Sequence, residues 1–194
     1  NDPGLVVLPT HRLIRGIRPL RSDELIERLG DRFDCETLSG GMSAAPDAWT
    51  RIQLANRQSL MALYAAEDDT WVMVNANEKA MTRMSELAGD QSETWRSLGV
   101  SLLHKLVLED CLGETNHPKP TYVHEVNDVL AGLKGETDAA ESEGDGKYTF
   151  AALVMPATVS DVEQISLNHE RMPAKSTYFY PKLLSGLAFH RLMP

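Results

Sequence analysis

Cysteine is nearly absent, with Cys35 and Cys111 the two in 194 residues. They lie far apart and follow no metal or redox spacing, which excludes a disulfide scaffold and a cysteine-rich zinc module. Cys111, His117 and His124 sit at intervals that match no structural zinc pattern, so no metal site is assigned. Basic residues are also short, 19 against 28 acidic ones for a net charge of −9. That disfavours nucleic acid and a membrane surface as partners, since both need a basic face, but leaves room for a local basic pocket. No apolar run approaches the roughly 18 residues of a membrane span. With no signal-peptide pattern either, the expected location is the cytoplasm. Neither GxGxxG nor GxxxxGK[ST] occurs. The pair Gly40-Gly41 before a helix start reads as a connecting loop, because Asp47 in the first turn would repel an anion. An initiator methionine is missing too. The opening Asn1-Asp2-Pro3-Gly4 is hairpin-turn chemistry with no strand before it, so the chain is expected to be the C-terminal part of a longer protein.

What is present suits an ordinary globule: 42% hydrophobic and 24% charged residues, enough for one domain over residues 1–194. Leu5 to Ile14 reads as a buried strand that Pro9 breaks or bulges, turning Thr10, His11 and Arg12 towards a face. A solvated edge strand and a site are equally open readings of that triplet. Ser22 is placed as the cap of a helix, with Asp23 and Glu24 in its first turn. Phe33 to Leu38 is a strand, and a helix opens at Pro46. Two apolar runs, Leu60 to Tyr64 and Trp71 to Val74, flank the acidic turn Glu67-Asp68-Asp69 as a hairpin. Glu78 to Leu87 is a short helix, and Val100 to Leu112 makes the most apolar one. His104 in that helix is read as structural. Tyr122 to Val126 is a strand, and Asn127 caps a helix over Asp128 to Leu133. Residues 136–147 form an acidic surface loop, and a second buried strand runs from Tyr148 to Met155. Thr158 or Ser160 caps the next helix, and Leu187 to Leu192 is a final strand. One tight hairpin and irregular spacing imply an α+β fold, a mixed and largely antiparallel sheet with helices packed on it.

The densest chemistry lies in Met172-Pro173-Ala174-Lys175-Ser176-Thr177-Tyr178-Phe179-Tyr180-Pro181-Lys182. Cations, hydroxyls and aromatics sit there between residues that resist helix formation. Aromatics that seek burial would pin the segment onto the body and fix Lys175, Ser176, Thr177 and Lys182, as a phosphate ligand requires. With His11 and Arg12 from the first strand, these are the candidate phosphate-binding residues. Two other readings stand beside it. The segment is architecture, its lysines paired with carboxylates at no more than about 1 kcal/mol each, or Tyr178 to Tyr180 cover a partner.

Together Leu8-Pro9-Thr10-His11-Arg12 and the C-terminal stretch, with Val100-Ser101-Leu102-Leu103-His104 and Ala151 to Pro156, resemble a bacterial family, domain-of-unknown-function family 1015. The resemblance implies a parent about twice this length. Upstream it implies an Asp-Gly-His-His-Arg motif similar to that of the ParB partition, sulfiredoxin and free-serine-kinase superfamily, whose members bind nucleotides or move phosphoryl groups. That motif is absent from this chain, so no catalytic role passes to Lys175, Ser176, Thr177 or Lys182.

Two functions follow as expectations. In one, the parent handles a nucleotide or a phosphorylated metabolite and this chain contributes the lysine–hydroxyl loop. In the other, the chain is a non-catalytic binding or regulatory module, since no nucleophile–base pair is complete in it. Enzymatic activity stays undecided and no cofactor is identified. A strand as apolar as Leu5 to Ile14 is expected inside the sheet, with one side left open by the missing upstream segment, and therefore prone to self-association.

Overall fold

In the computed structural model, residues 6–136 and 147–182 are described. The expected strand Leu5 to Ile14 is two strands in two different sheets. β1 spans Val6–Leu8 and β2 spans His11–Ile14, and the break falls at Pro9 and Thr10, where proline removes a ladder donor. The chain continues through α1 (Ser22–Leu29), β3 (Phe33–Leu38), α2 (Ala45–Ala55), β4 (Leu60–Ala65), β5 (Thr70–Ala76), α3 (Glu78–Leu87) and α4 (Glu93–Ser97). α5 (Gly99–Ser101) then runs on as a π-helical segment, Leu102–Cys111. β6 (Thr121–Val123), α6 (Val126–Lys134), β7 (Phe150–Leu153), α7 (Val159–Leu167) and β8 (Tyr178–Tyr180) complete the order. Most of the acidic loop and the Leu187 to Leu192 strand lie outside the described residues.

Six strands form one sheet in the order β3-β5-β4-β7-β2-β6, and β1 pairs with β8 in a separate ribbon. Every pairing is antiparallel, which gives the α+β fold with a largely antiparallel sheet. Helices cover both faces. Met61, Leu63, Val72, Val74 and Ile14 pack with Leu25, Met84 and the Leu102–Leu108 segment on one face. Leu60, Ala62, Tyr64, Trp71 and Leu13 pack with Ala48, Ile52 and Val129 on the other. Because successive strand residues point to opposite faces, double coverage explains why β4 is apolar at every position. Each large side chain fully buried there contributes about 1.5–3 kcal/mol.

β2 is an interior strand, Arg12 lying opposite Tyr122 of β6 on one side and Ala152 of β7 on the other. Both of its edges are filled by strands of its own chain. The expected open side, and strand addition along β2 by a second copy, are therefore ruled out by the pairing. β1 has one strand partner, β8, among the described residues.

Helix boundaries shift where a remote group does the capping. Arg21, not Ser22, is the residue before α1, and it makes no side-chain cap. Instead the Asp68 carboxylate, from the β4–β5 turn, accepts from the Ser22 backbone N–H at 3.0 Å and from its hydroxyl at 2.6 Å. Glu125 rather than Asn127 precedes α6, while Thr158 caps α7 in a capping box with Asp161. The second turn aspartate, Asp69, accepts from Met42 N–H and from the Tyr64 hydroxyl, each at 2.7 Å. This accounts for the glycine pair. Gly41 has φ of 59°, and a Cβ there would meet Asp69 Oδ2 at 2.3 Å.

Asp68→Ala should therefore lower stability by about 1–2 kcal/mol, the usual loss for an N-terminal helix cap, read as a lower urea midpoint with an unchanged slope. Burial pushes the Asp68 carboxyl up, but its bonds to Ser22 outweigh that and hold it below its ordinary value. This contribution is thus present above the ordinary carboxylate range and lost as pH falls through the lowered value.

Candidate functional site

The polar triplet before Leu13 is wholly inside the protein, with Thr10 4% exposed and His11 and Arg12 at 0%. Strand alternation sends His11 and Arg12 to opposite faces. His11 joins Leu13 on the α2–α6 face, its ring 4.7 Å from that of Trp49 in a T-shaped contact. Its Nδ1 accepts from the Val154 N–H at 3.4 Å, which fixes the proton on Nε2, a buried donor with no nitrogen or oxygen partner. Burial, then the charge of Arg12, pulls its pKa to about 3, so this imidazole is neutral. His11 and Arg12 thus do not share a site, although the sequence sets them side by side.

Arg12 is the unusual group. Its Nη1 donates to the Thr10 carbonyl and its Nη2 to the Lys175 carbonyl at 3.0 Å. Its Nε and the Thr10 hydroxyl are buried without a partner. Tyr122 lies beside it, the guanidinium carbon 5.7 Å from the ring centroid. Arg18, Arg21, Arg28, Arg32, Arg51 and Arg83 all pair with carboxylates. Arg12 has no such partner among the described residues. An isolated buried ion costs several kcal/mol, and each orphaned donor adds about 1–3 kcal/mol. Burial accordingly draws the Arg12 pKa down to about 10, still charged at neutral pH.

His104, on the π-helical segment, is lowered to about 4 by burial first, then by Arg12, His117 and Lys105. π-helical turns are frequent at functional sites. His124 Nδ1 donates to the Pro9 carbonyl at 2.8 Å, and its ring stacks on Tyr178 at 3.8 Å. Pairing of β1 with β8 sets Leu8 opposite Tyr178, and so brings the two polar stretches of the sequence together. Of the C-terminal candidates, Lys175 contributes its carbonyl to Arg12 and exposes its side chain. Ser176 is buried, its hydroxyl donating to the Pro173 carbonyl. Thr177 is half-buried, and Lys182 Nζ stands 4.6 Å from the Tyr178 ring centroid. Sequence reasoning missed His104 and Tyr122 as groups acting on Arg12. Tyr122, inside the strand expected from Tyr122 to Val126, was the available signal.

A buried guanidinium with an unmet donor and no carboxylate partner among the described residues has the hydrogen-bonding capacity that an anion would use. The family model described as Protein of unknown function (DUF1015) matches residues 1–101. The chain belongs to that family. The match takes in Thr10, His11 and Arg12 of this family 1015 chain and ends before His104 and the Lys175 segment. No curated protein and no solved structure matches the chain.

The two depressed histidines fix a pH dependence. Below their ordinary value of 6.5 the unfolded chain takes up protons that the folded chain refuses until about 4 at His104 and about 3 at His11. Stability should therefore fall as pH drops from 6.5 towards 4, with a slope approaching about two protons. Urea midpoints across that range check this, and His11→Gln should remove about one proton from the slope.

Proposed function

We propose that this protein binds a phosphorylated small molecule, a nucleotide or phosphorylated metabolite, with Arg12 as the anchor for its phosphate. The observation that carries the reading is the buried Arg12 guanidinium, which has an unpartnered Nε and no carboxylate partner among the described residues. Lys175, Thr177 and Lys182 supply further donors from the C-terminal segment, and Ser176 braces the turn that presents them. His11, buried against Trp49 on the opposite face of β2, takes no part in this anchor. Phosphoryl handling in the manner of the ParB and serine-kinase superfamily, in the cytoplasm, is the class of chemistry that this reading implies. No helix among the described residues is long and apolar enough to cross a membrane.

A second reading, a non-catalytic module that docks a partner, draws on the ribbon of β1 and β8. There Val6, Phe179 and Tyr180 are 47%, 39% and 55% exposed, so the aromatic run is not all spent on packing. In that reading the C-terminal segment is architecture around Arg12.

Calorimetric titration with ATP, ADP, CTP and inorganic phosphate, with and without magnesium, separates the two. The phosphate reading expects a Kd well below 1 mM for at least one of them, and a loss of about tenfold or more in Arg12→Lys, because an ammonium cannot make the bidentate grip. Binding no tighter than about 1 mM, or −4 kcal/mol, by every ligand would overturn it.

A further inference from the structure

Arg12 carries five N–H groups, of which one goes to the Thr10 carbonyl and one to the Lys175 carbonyl. Nε and an adjacent Nη form the edge that holds a planar pair of oxygens side by side, and on Arg12 that edge is unfilled at Nε. The Thr10 hydroxyl, also unpartnered, belongs to the same residue whose carbonyl steadies Nη1. Yet Arg12 is 0% exposed, so no ligand reaches it unless something moves.

The segment over it is anchored at both ends and exposed between them. Glu170 is fixed by its carboxylate on the Ser92 N–H and hydroxyl, and Arg171 by the Trp95 indole N–H on its carbonyl at 3.0 Å. At the other end, Tyr178 to Tyr180 are fixed by pairing with β1. Between these anchors Ala174 and Lys175 are exposed, and Lys175 holds a left-handed φ of 56°, which a lysine adopts only under constraint. The constraint visible is the bond from Arg12 to its carbonyl, with the Ser176 hydroxyl closing the turn onto Pro173. Just before this turn, Met172 and Pro173 line a cleft of about 650 Å³ with Lys105 and Arg171.

We infer that Arg12 and Thr10 form a phosphate site lidded by the Ala174–Lys175 turn, and that an incoming phosphate replaces the Lys175 carbonyl on Nη2 while also taking Nε and the Thr10 hydroxyl. This rests on the phosphate reading above and adds to it Thr10 as a ligand and the turn as a gate. The Lys175 carbonyl is then a stand-in acceptor, keeping the empty site closed at the expense of a left-handed lysine.

The test compares Lys175→Asn with Lys175→Val. Both lose the ammonium, but asparagine tolerates the left-handed turn and a β-branched valine resists it. Inorganic phosphate is the titrant, and circular dichroism checks folding. Valine should bind phosphate about five- to tenfold more tightly than asparagine, since it no longer has to be opened. In the unsubstituted protein, phosphate should speed hydrogen exchange at the amides of residues 174–176. Equal binding by the two variants with unchanged exchange, while Arg12→Lys weakens binding, overturns the lid and leaves the phosphate reading standing. Arg12→Lys binding as well as the unsubstituted protein overturns both. If Arg12→Lys does not fold, Thr10→Val takes its place: a severalfold loss supports the site and no loss overturns it.

Discussion

Strand β2 reads His-Arg-Leu-Ile, and all four residues are buried. Its place between β7 and β6 is the constraint from which the rest of the candidate site follows. An interior strand has its two faces covered by helices and its two edges covered by neighbours, so its backbone donors and acceptors can be satisfied in the ladder. Side chains on such a strand have no route to water. Leu13 and Ile14 gain from that. Arg12 does not, and its burial against two backbone carbonyls brings Pro9, Thr10 and Lys175 together at one point. The same placement sends β1 out of the main sheet to pair with β8, which fastens the C-terminal stretch over the arginine.

Charge is handled very differently elsewhere. Asp110 takes both Arg32 and Arg83, at 2.6 Å each, and is held below its ordinary value first by the hydrogen bond from Arg83, against the opposing effect of burial. Asp68 and Asp69 turn an acidic hairpin loop into two anchors, one capping α1 and one gripping the glycine loop. In a protein of net charge −9, acceptors are abundant, and these arginines and backbone donors find them. Arg12 lies on the inside of the sheet, away from that supply. That contrast is the ground on which an exogenous anion is proposed as its complement.

Much of the fold was legible in residue order. The run Phe33 to Leu38 and the helix Glu78 to Leu87 have the bounds that their patterns imply, and the acidic turn does join β4 to β5 in a hairpin. Pro9 does interrupt the first strand, and Thr158 does cap α7. These features depend on period, proline, and capping chemistry within a few residues, all of which are local. The sequence also marked both polar stretches around the candidate site as places where chemistry is concentrated.

Only the tertiary structure decided what those stretches do. The bond between Arg12 and Lys175 spans 163 residues, and no local pattern carries information across such a separation. That both edges of β2 are filled, that His11 and Arg12 face opposite ways, and that Ser176 closes a turn instead of standing free were all set by packing. Likewise the Ser22 cap came from Asp68, 46 residues away, so local capping rules named the right helix and the wrong partner. By itself the sequence determined the elements and the antiparallel α+β class, because propensity and periodicity act over short range. Which polar groups are buried, and with whom, depended on where distant segments meet, because desolvation and pairing are properties of the assembled core.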